Sequence, residues 1–239
     1  MSETFYDTIV FFFRFPFWVS SRPVHLHVDR IPHDGPFLLA CSHLSPFDVP
    51  ALMRSSTRRI DFVSTTEIFQ NKFIAWFYGN MGTFPIDRSR SDPKTVRIII
   101  DRLERGRVVA IFPEGRIRPE SESVVCGGRM RPTIARLAKF ANVPIVPAVV
   151  WGSNAYLRPL NWAPLRRVRY GVNYGERIVV NDEAEGERQL AESFQRLYAE
   201  LRGAMGVGGE IVAPAVAPNA AASQRADVAS ASADRASAA

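Results

Sequence analysis

Short apolar runs alternate with helical patterns along most of the chain. Residues 36–41 (PFLLAC) form an unbroken apolar run that predicts a buried strand, and 108–112 (VVAIF) and 144–151 (PIVPAVVW) predict two more. Shorter strands are expected at 61–64 and 82–87, with a strand or hairpin over 168–180. Helical signals lie between them. Ser45-Pro46-Phe47-Asp48 has the chemistry of a helix start, with serine as N-cap, proline at the first helical position and an acid three residues after the cap. Residues 66–79 predict an aromatic helix, and Ser91-Asp92-Pro93 caps another that sets Val96, Ile99, Ile100 and Leu103 on one face and ends at Gly106. Further helices are expected over 132–142 and from about 183 to 205. Apolar strands without polar alternation need cover on both faces, so the pattern predicts an α/β fold. We expect a single domain with a mixed, mostly parallel sheet flanked by helices.

The two ends differ from this body. From about Gly206 the chain is rich in Gly, Ala, Ser and Pro and has no aromatic residue, so 206–239 is expected to be a disordered tail. At the other end, residues 1–23 carry Phe11, Phe12, Phe13, Phe15 and Phe17. Asp7, Arg14 and Pro16 interrupt this stretch, which is shorter than the ~20 apolar residues of a membrane span. It suits an interfacial segment with Arg14 and Arg22 toward anionic lipid, or a first helix packed on the core. The acidic start is unlike a secretory signal.

Charge narrows the partners. The chain has 239 residues and a formal net charge of +6, carried almost wholly by arginine, since Lys72, Lys94 and Lys139 are the only lysines. Arginine's planar fork suits phosphate, which leaves nucleic acid and an anionic lipid surface as candidate partners. The segment 157–169 joins Trp162 to Arg158, Arg166, Arg167 and Arg169 and is a second candidate lipid contact. Cys41 and Cys126 form neither a disulfide framework nor a zinc motif, and Cys41 is expected in a strand core. His25 and His27 would share a strand face, but with His33 they find no acid or cysteine to complete a metal shell.

Four blocks carry candidate chemistry. His43 directly follows a buried strand and precedes Asp48, so an imidazole base and an orienting carboxylate are both at hand, although S-x-x-D is also an ordinary capping box. Gly82-Thr83-Phe84-Pro85-Ile86-Asp87-Arg88 ends a strand with either a phosphate clamp or a surface ion pair. Phe112-Pro113-Glu114-Gly115-Arg116, with Arg118 beside it, makes a sharp turn that can project a carboxylate into a cleft or simply reverse the chain. Val143-Pro144-Ile145-Val146-Pro147 is a strand whose two prolines predict an edge or first-residue position.

In this order, HLSPFD, GTFPIDR, FPEGR and VPIVPAVV resemble the blocks of the glycerolipid acyltransferase family, the lysophospholipid acyltransferases. The resemblance covers about residues 24–180 and extends to the aromatic stretch 67–77. It implies a glycerol-phosphate acyltransferase-like fold, which we expect over 24–205, behind the N-terminal segment 1–23 read above as membrane-associating. It also implies transfer of an acyl group from acyl-CoA or acyl carrier protein to a lysophospholipid hydroxyl, 1-acyl-glycerol-3-phosphate giving phosphatidic acid. His43 would then be the general base and Asp48 its orienting partner. Arg88 would bind the acceptor's phosphate, with Glu114, Gly115, Arg116 and Arg118 at the glycerol phosphate. Phe69, Phe73, Trp76 and Phe77 would line an acyl channel, touch the bilayer or form plain helix core. No cofactor is expected beyond the thioester co-substrate, and no nucleophilic serine elbow is present. The expected location is the cytoplasmic face of the cell membrane, as a peripheral or monotopic protein.

One departure stands out. Where the family commonly continues Phe-Pro-Glu-Gly-Thr-Arg, this chain has Arg116-Ile117-Arg118, which keeps the reaction class but opens the acceptor to other lysophospholipids or glycerol phosphate. A noncatalytic lipid- or nucleic-acid-binding protein is the alternative of another class. His43, Asp48 and Glu114 together argue against a mere binder. Arginines placed after apolar strands, instead of along one helix, argue against nucleic acid.

Overall fold

The computed structural model describes residues 8, 11–12, 19–65, 83–86, 93–163 and 167–207. Seven strands form one sheet: β1 (Ser21–Leu26), β2 (Phe37–Cys41), β3 (Ile60–Thr65), β4 (Phe84–Ile86), β5 (Val108–Ile111), β6 (Ile145–Trp151) and β7 (Val168–Tyr174). Their spatial order is β1-β7-β6-β2-β5-β3-β4. Every pairing is parallel except β6 with β7. The α-helices bounded within the described residues are α1 (Asp48–Ser55), α2 (Pro93–Glu104), α3 (Thr133–Ala141) and α4 (Glu183–Ala204). The expected mixed, mostly parallel α/β domain is what forms.

The apolar strands are apolar because both faces are covered. In β2, Leu38 and Ala40 pack with α2, α3 and α4 through Ile99, Leu103, Ile134, Leu137 and Phe194. Phe37, Leu39 and Cys41 point the other way, toward Ala51 and Leu52 of α1 and Tyr156. All five residues of β2 are at most 1% exposed, which makes it the centre of the fold. Gly106 ends α2 as the pattern predicted: at φ 72° its N–H reaches Leu103 O, and Arg107 N reaches Arg102 O. At the amino end of β3, buried Asp61 is held by Arg102 at 2.6 Å and Arg107 at 2.7 Å.

Several expectations need correcting. Pro147 lies in a central strand, not at an edge. It is tolerated because it stands opposite Gly175, just past the end of β7: Gly175 N donates to Pro147 O at 2.8 Å, and only the return bond is lost. The proline ring fills the space of a Gly175 side chain, whose Cβ would come within 2.6 Å of Pro147 Cγ. Pro144 does precede its strand, as expected. The segment 168–180 is strand only to Tyr174, with one further bridge between Ile145 and Ile178.

Regular α1 begins at Asp48, later than Pro46. Pro50 has no N–H to give, so the first i→i−4 bond runs from Ala51 to Phe47. β1 claims residues 21–23 from the expected N-terminal segment, and His27 lies beyond the strand at φ 53°, so it does not share a strand face with His25. The expected helix 66–79, with Phe69, Phe73, Trp76 and Phe77, lies outside the described residues, as do most of 1–18 and the tail from 208.

Candidate active site

β2, β5 and β6 are parallel neighbours, so the chain leaves all three at the same edge of the sheet. That edge gathers His43 after β2, residues 112–118 after β5 and Gly152-Ser153 after β6. Groups at the carboxyl ends of parallel strands face the crevice where ligands of α/β sheets bind.

The His43 ring stacks on Phe112, with centroids 4.0 Å apart and planes at 19°. Its Nδ1 lies 3.3 Å from Asp48 Oδ2. An ionised carboxylate there keeps the proton on Nδ1, which leaves Nε2 as the nitrogen able to accept one. Asp48 is fully buried. Its Oδ2 also accepts from Leu44 N and Ser45 N, each at 2.8 Å, while Ser45 Oγ accepts from Phe47 N at 3.1 Å. The expected cap is shifted, because α1 starts at Asp48 with Phe47 as N-cap and no side-chain cap, and the Ser45 and Asp48 bonds instead brace the turn that leads into it. The Asp48 oxygen that braces this turn is also the one nearest His43 Nδ1. Its second oxygen, Oδ1, accepts from Ser153 Oγ at 2.6 Å.

The turn after β5 is bound to His43 through the backbone. Glu114 Oε1 accepts from His43 N at 3.1 Å and from Ser123 Oγ at 2.8 Å, and Arg118 N donates to His43 O at 3.0 Å. Glu114 is only 2% exposed, and its Oε2 is buried without a partner. Burial pushes its carboxyl above the ordinary range, against smaller opposing effects from the His43 N–H, the Ser123 hydroxyl and the His43 and Arg118 charges. Glu114 thus faces inward, as a strut beneath the histidine.

Gly115 closes this turn at φ 70°, with its N–H on Phe112 O at 3.0 Å. A Cβ there would meet the Arg131 guanidinium at 2.8 Å. Arg116 is exposed, and the Arg118 side chain is partly buried, 3.8 Å from Glu122. Arg88 lies outside the described residues. The structure therefore brings His43, Asp48, Glu114, Gly115 and Arg118 together and sets Arg116 on the same loop.

Cys41 is wholly buried in β2, as expected, and its thiol is raised well above its usual range by burial and then by the Asp48 and Glu114 charges. Three residues were missed from sequence. Ser153 stands just past a strand's carboxyl end, a position that marks candidates. Arg131 follows a Gly-Gly-Arg-Met turn, and Ser123 carries no signal of its own.

The acyltransferase family model matches residues 23–151, a span that contains His43, Asp48, Arg88 and the turn 112–118. The curated 1-acyl-sn-glycerol-3-phosphate acyltransferase of Bacillus subtilis (strain 168) is 32% identical over 128 residues. That alignment takes in 53% of this chain and 61% of the relative, so the chain spans about three fifths of the length of the curated relative it matches. Among solved structures, the 1-acyl-sn-glycerophosphate (LPA) acyltransferase PlsC from Thermotoga maritima superposes with a TM-score of 0.67 at 20% identity. The superposition covers 82% of this chain and 79% of the other, and it is a likeness of fold.

Proposed function

The chain belongs to the acyltransferase family, and from that premise we propose that it transfers a fatty acyl group from an acyl thioester to the hydroxyl of a lysophospholipid. The acceptor we favour is 1-acyl-glycerol-3-phosphate, with phosphatidic acid as product. The observation that carries this reading is the buried Asp48 carboxylate against His43 Nδ1 at the carboxyl edge of the sheet.

His43 Nε2 takes the proton of the acceptor hydroxyl as its oxygen attacks the thioester carbonyl. Asp48 stabilises the imidazolium while the tetrahedral intermediate stands. Collapse breaks the carbon–sulfur bond, and the leaving thiolate recovers the proton from His43. The products are the new oxygen ester and the free thiol, of coenzyme A or of acyl carrier protein. Direct transfer fits the site better than an acyl-cysteine, because the Cys41 thiol is buried and held protonated. Nothing in this sequence of steps calls for a cofactor. Bringing both substrates under one base supplies much of the rate.

Arg116, Arg118 and Arg88 would meet the acceptor's phosphate, with Arg131 against Gly115 as a further cation beside that turn. The paired arginines around Ile117 keep a second acceptor headgroup in view. We place the protein at the cytoplasmic face of a membrane, where its acceptor lies. Phe11, Phe12, Leu157 and Leu160 are more than half exposed and support this. Among the described residues no helix is long and apolar enough to cross a membrane. Trp162 of the same segment is half-buried, with its Nε1 donating to Tyr156 O at 3.0 Å and its ring packed on Phe47 and Tyr156.

The test is thiol release by the purified chain with acyl-CoA or acyl carrier protein donors and a panel of lysolipids. Release should depend on lysophosphatidic acid and fall about 10²- to 10⁴-fold in His43→Ala. A folded His43→Ala protein that keeps the wild-type rate refutes the mechanism.

A further inference from the structure

Ser153 lies outside the four sequence blocks, yet it reaches the centre of the site. It follows Gly152 at the end of β6, whose Ala148 stands opposite Cys41 of β2. The chain leaving β6 therefore emerges beside the chain that carries His43. Gly152 turns there at φ 82°, and a Cβ on it would come within 2.8 Å of the Arg169 carbonyl oxygen. Glycine is what lets the turn lie this close to β7. The turn delivers Ser153 into the interior at 1% exposure, with Oγ 2.6 Å from Asp48 Oδ1.

The surroundings fix this spacing from both sides. Tyr156, three residues on, packs its ring 5.7 Å from Phe47, the neighbour of Asp48, and 4.9 Å from Trp162. Both the serine and the acid are thus tied to one aromatic cluster.

A fully buried carboxylate must have each oxygen matched by donors. Oδ2 has Leu44 N, Ser45 N and His43 Nδ1. For Oδ1, Ser153 is the one hydrogen-bonding partner among the described residues. Ser153 is 1% exposed and its single proton points inward to Asp48, so its oxygen is closed off from substrate by burial.

We infer that Ser153 is a positioning residue for the acyl transfer: its hydroxyl fixes Asp48 Oδ1, and so holds the carboxylate as the acceptor that keeps the proton on His43 Nδ1. The role rests on the proposed base chemistry of His43. It acts through Asp48 and touches no substrate.

The test uses Ser153→Ala and Ser153→Cys in the full chain, the second because it preserves volume while replacing a strong donor with a weak one. Both should lower kcat about 10- to 100-fold, the cost of one buried acceptor left unmatched, with the lysolipid KM unchanged. In ¹⁵N-labelled protein, the His43 Nδ1–H signal should shift or broaden in both variants. If either variant melts like the wild type and keeps kcat within about twofold, the serine only fills space and the inference fails. If the wild type acylates no lysolipid at all, the functional reading fails separately. The imidazole spectrum then decides Ser153 alone, and an unchanged Nδ1–H signal in Ser153→Cys overturns the inference.

Discussion

Asp48→Asn separates the two tasks that Asp48 performs. An asparagine whose carbonyl oxygen takes the Oδ2 position keeps the contacts with Leu44 N, Ser45 N and His43 Nδ1. Its NH₂ then faces Ser153 Oγ, which can accept once its own proton turns away. The start of α1 survives, and the loss is the charge-assisted share of these bonds, about 1–2 kcal/mol. Catalysis fares worse, because a neutral amide cannot balance the imidazolium; kcat should fall about 10²- to 10³-fold. Asp48→Ala removes both tasks. It strands one buried and one half-buried backbone donor in the turn before α1, which together cost about 2–5 kcal/mol of a total near 5–15. The assay pairs thiol release from acyl-CoA with urea unfolding of the same preparations. An Asn variant with kcat within about threefold of wild type would show that the charge is idle. An Ala variant as stable as the Asn variant would show that the carboxylate does not hold the helix start.

Two further perturbations probe neighbouring parts. In Glu114→Gln the amide oxygen can keep both bonds made by Oε1, and NH₂ replaces the unpartnered Oε2. Because burial raises the Glu114 carboxyl, the fold favours its protonated form, so wild type forfeits stability as pH rises from its ordinary 4.5 through the raised value. The Gln variant should gain on wild type in urea melts as the pH rises above 4.5 and keep its acceptor KM; a KM raised more than about tenfold means that Glu114 meets the substrate directly. Leu157→Asp with Leu160→Asp places two charges on a face now 61% and 76% apolar-exposed at those residues. Sedimentation with anionic vesicles should show binding weakened about 10-fold or more, and unchanged binding would place that face in water.

Legibility in the sequence followed the physics of each element. The central strands β2, β5 and β6 could be read because burial on both faces leaves no polar residue to interrupt them. β1 was visible only as a strand face around His25, and its extent was not: Ser21-Arg22-Pro23-Val24-His25-Leu26 is a half-exposed edge strand, and its parallel partner β7 lies far along the chain. His43 and Asp48 were legible because a short local spacing encodes their meeting. Ser153 and Ser123 reach the site through contacts with residues 105 and nine positions away, which no local pattern records. The inward aim of Glu114 was equally invisible, since Pro-Glu-Gly specifies a turn but not which side of it becomes the interior. Pro147 misled because the rule against central prolines concerns N–H groups facing a partner, and here the partner strand has just ended.

The backbone ties at His43 bear on how this site can diverge. Its N–H is held by Glu114 and its carbonyl by Arg118, so the base and the arginine-bearing turn form one stiff unit. An insertion or deletion between Glu114 and Arg118 would drag the imidazole off Asp48. Loop length, elsewhere the freest variable in a protein, is frozen here. New acceptor preferences have to arise from side chains alone, at outward positions such as Arg116 and Ile117. A library confined to those two residues should change substrate choice while leaving the chemistry running, whereas one that varies the length of the turn should yield inactive proteins.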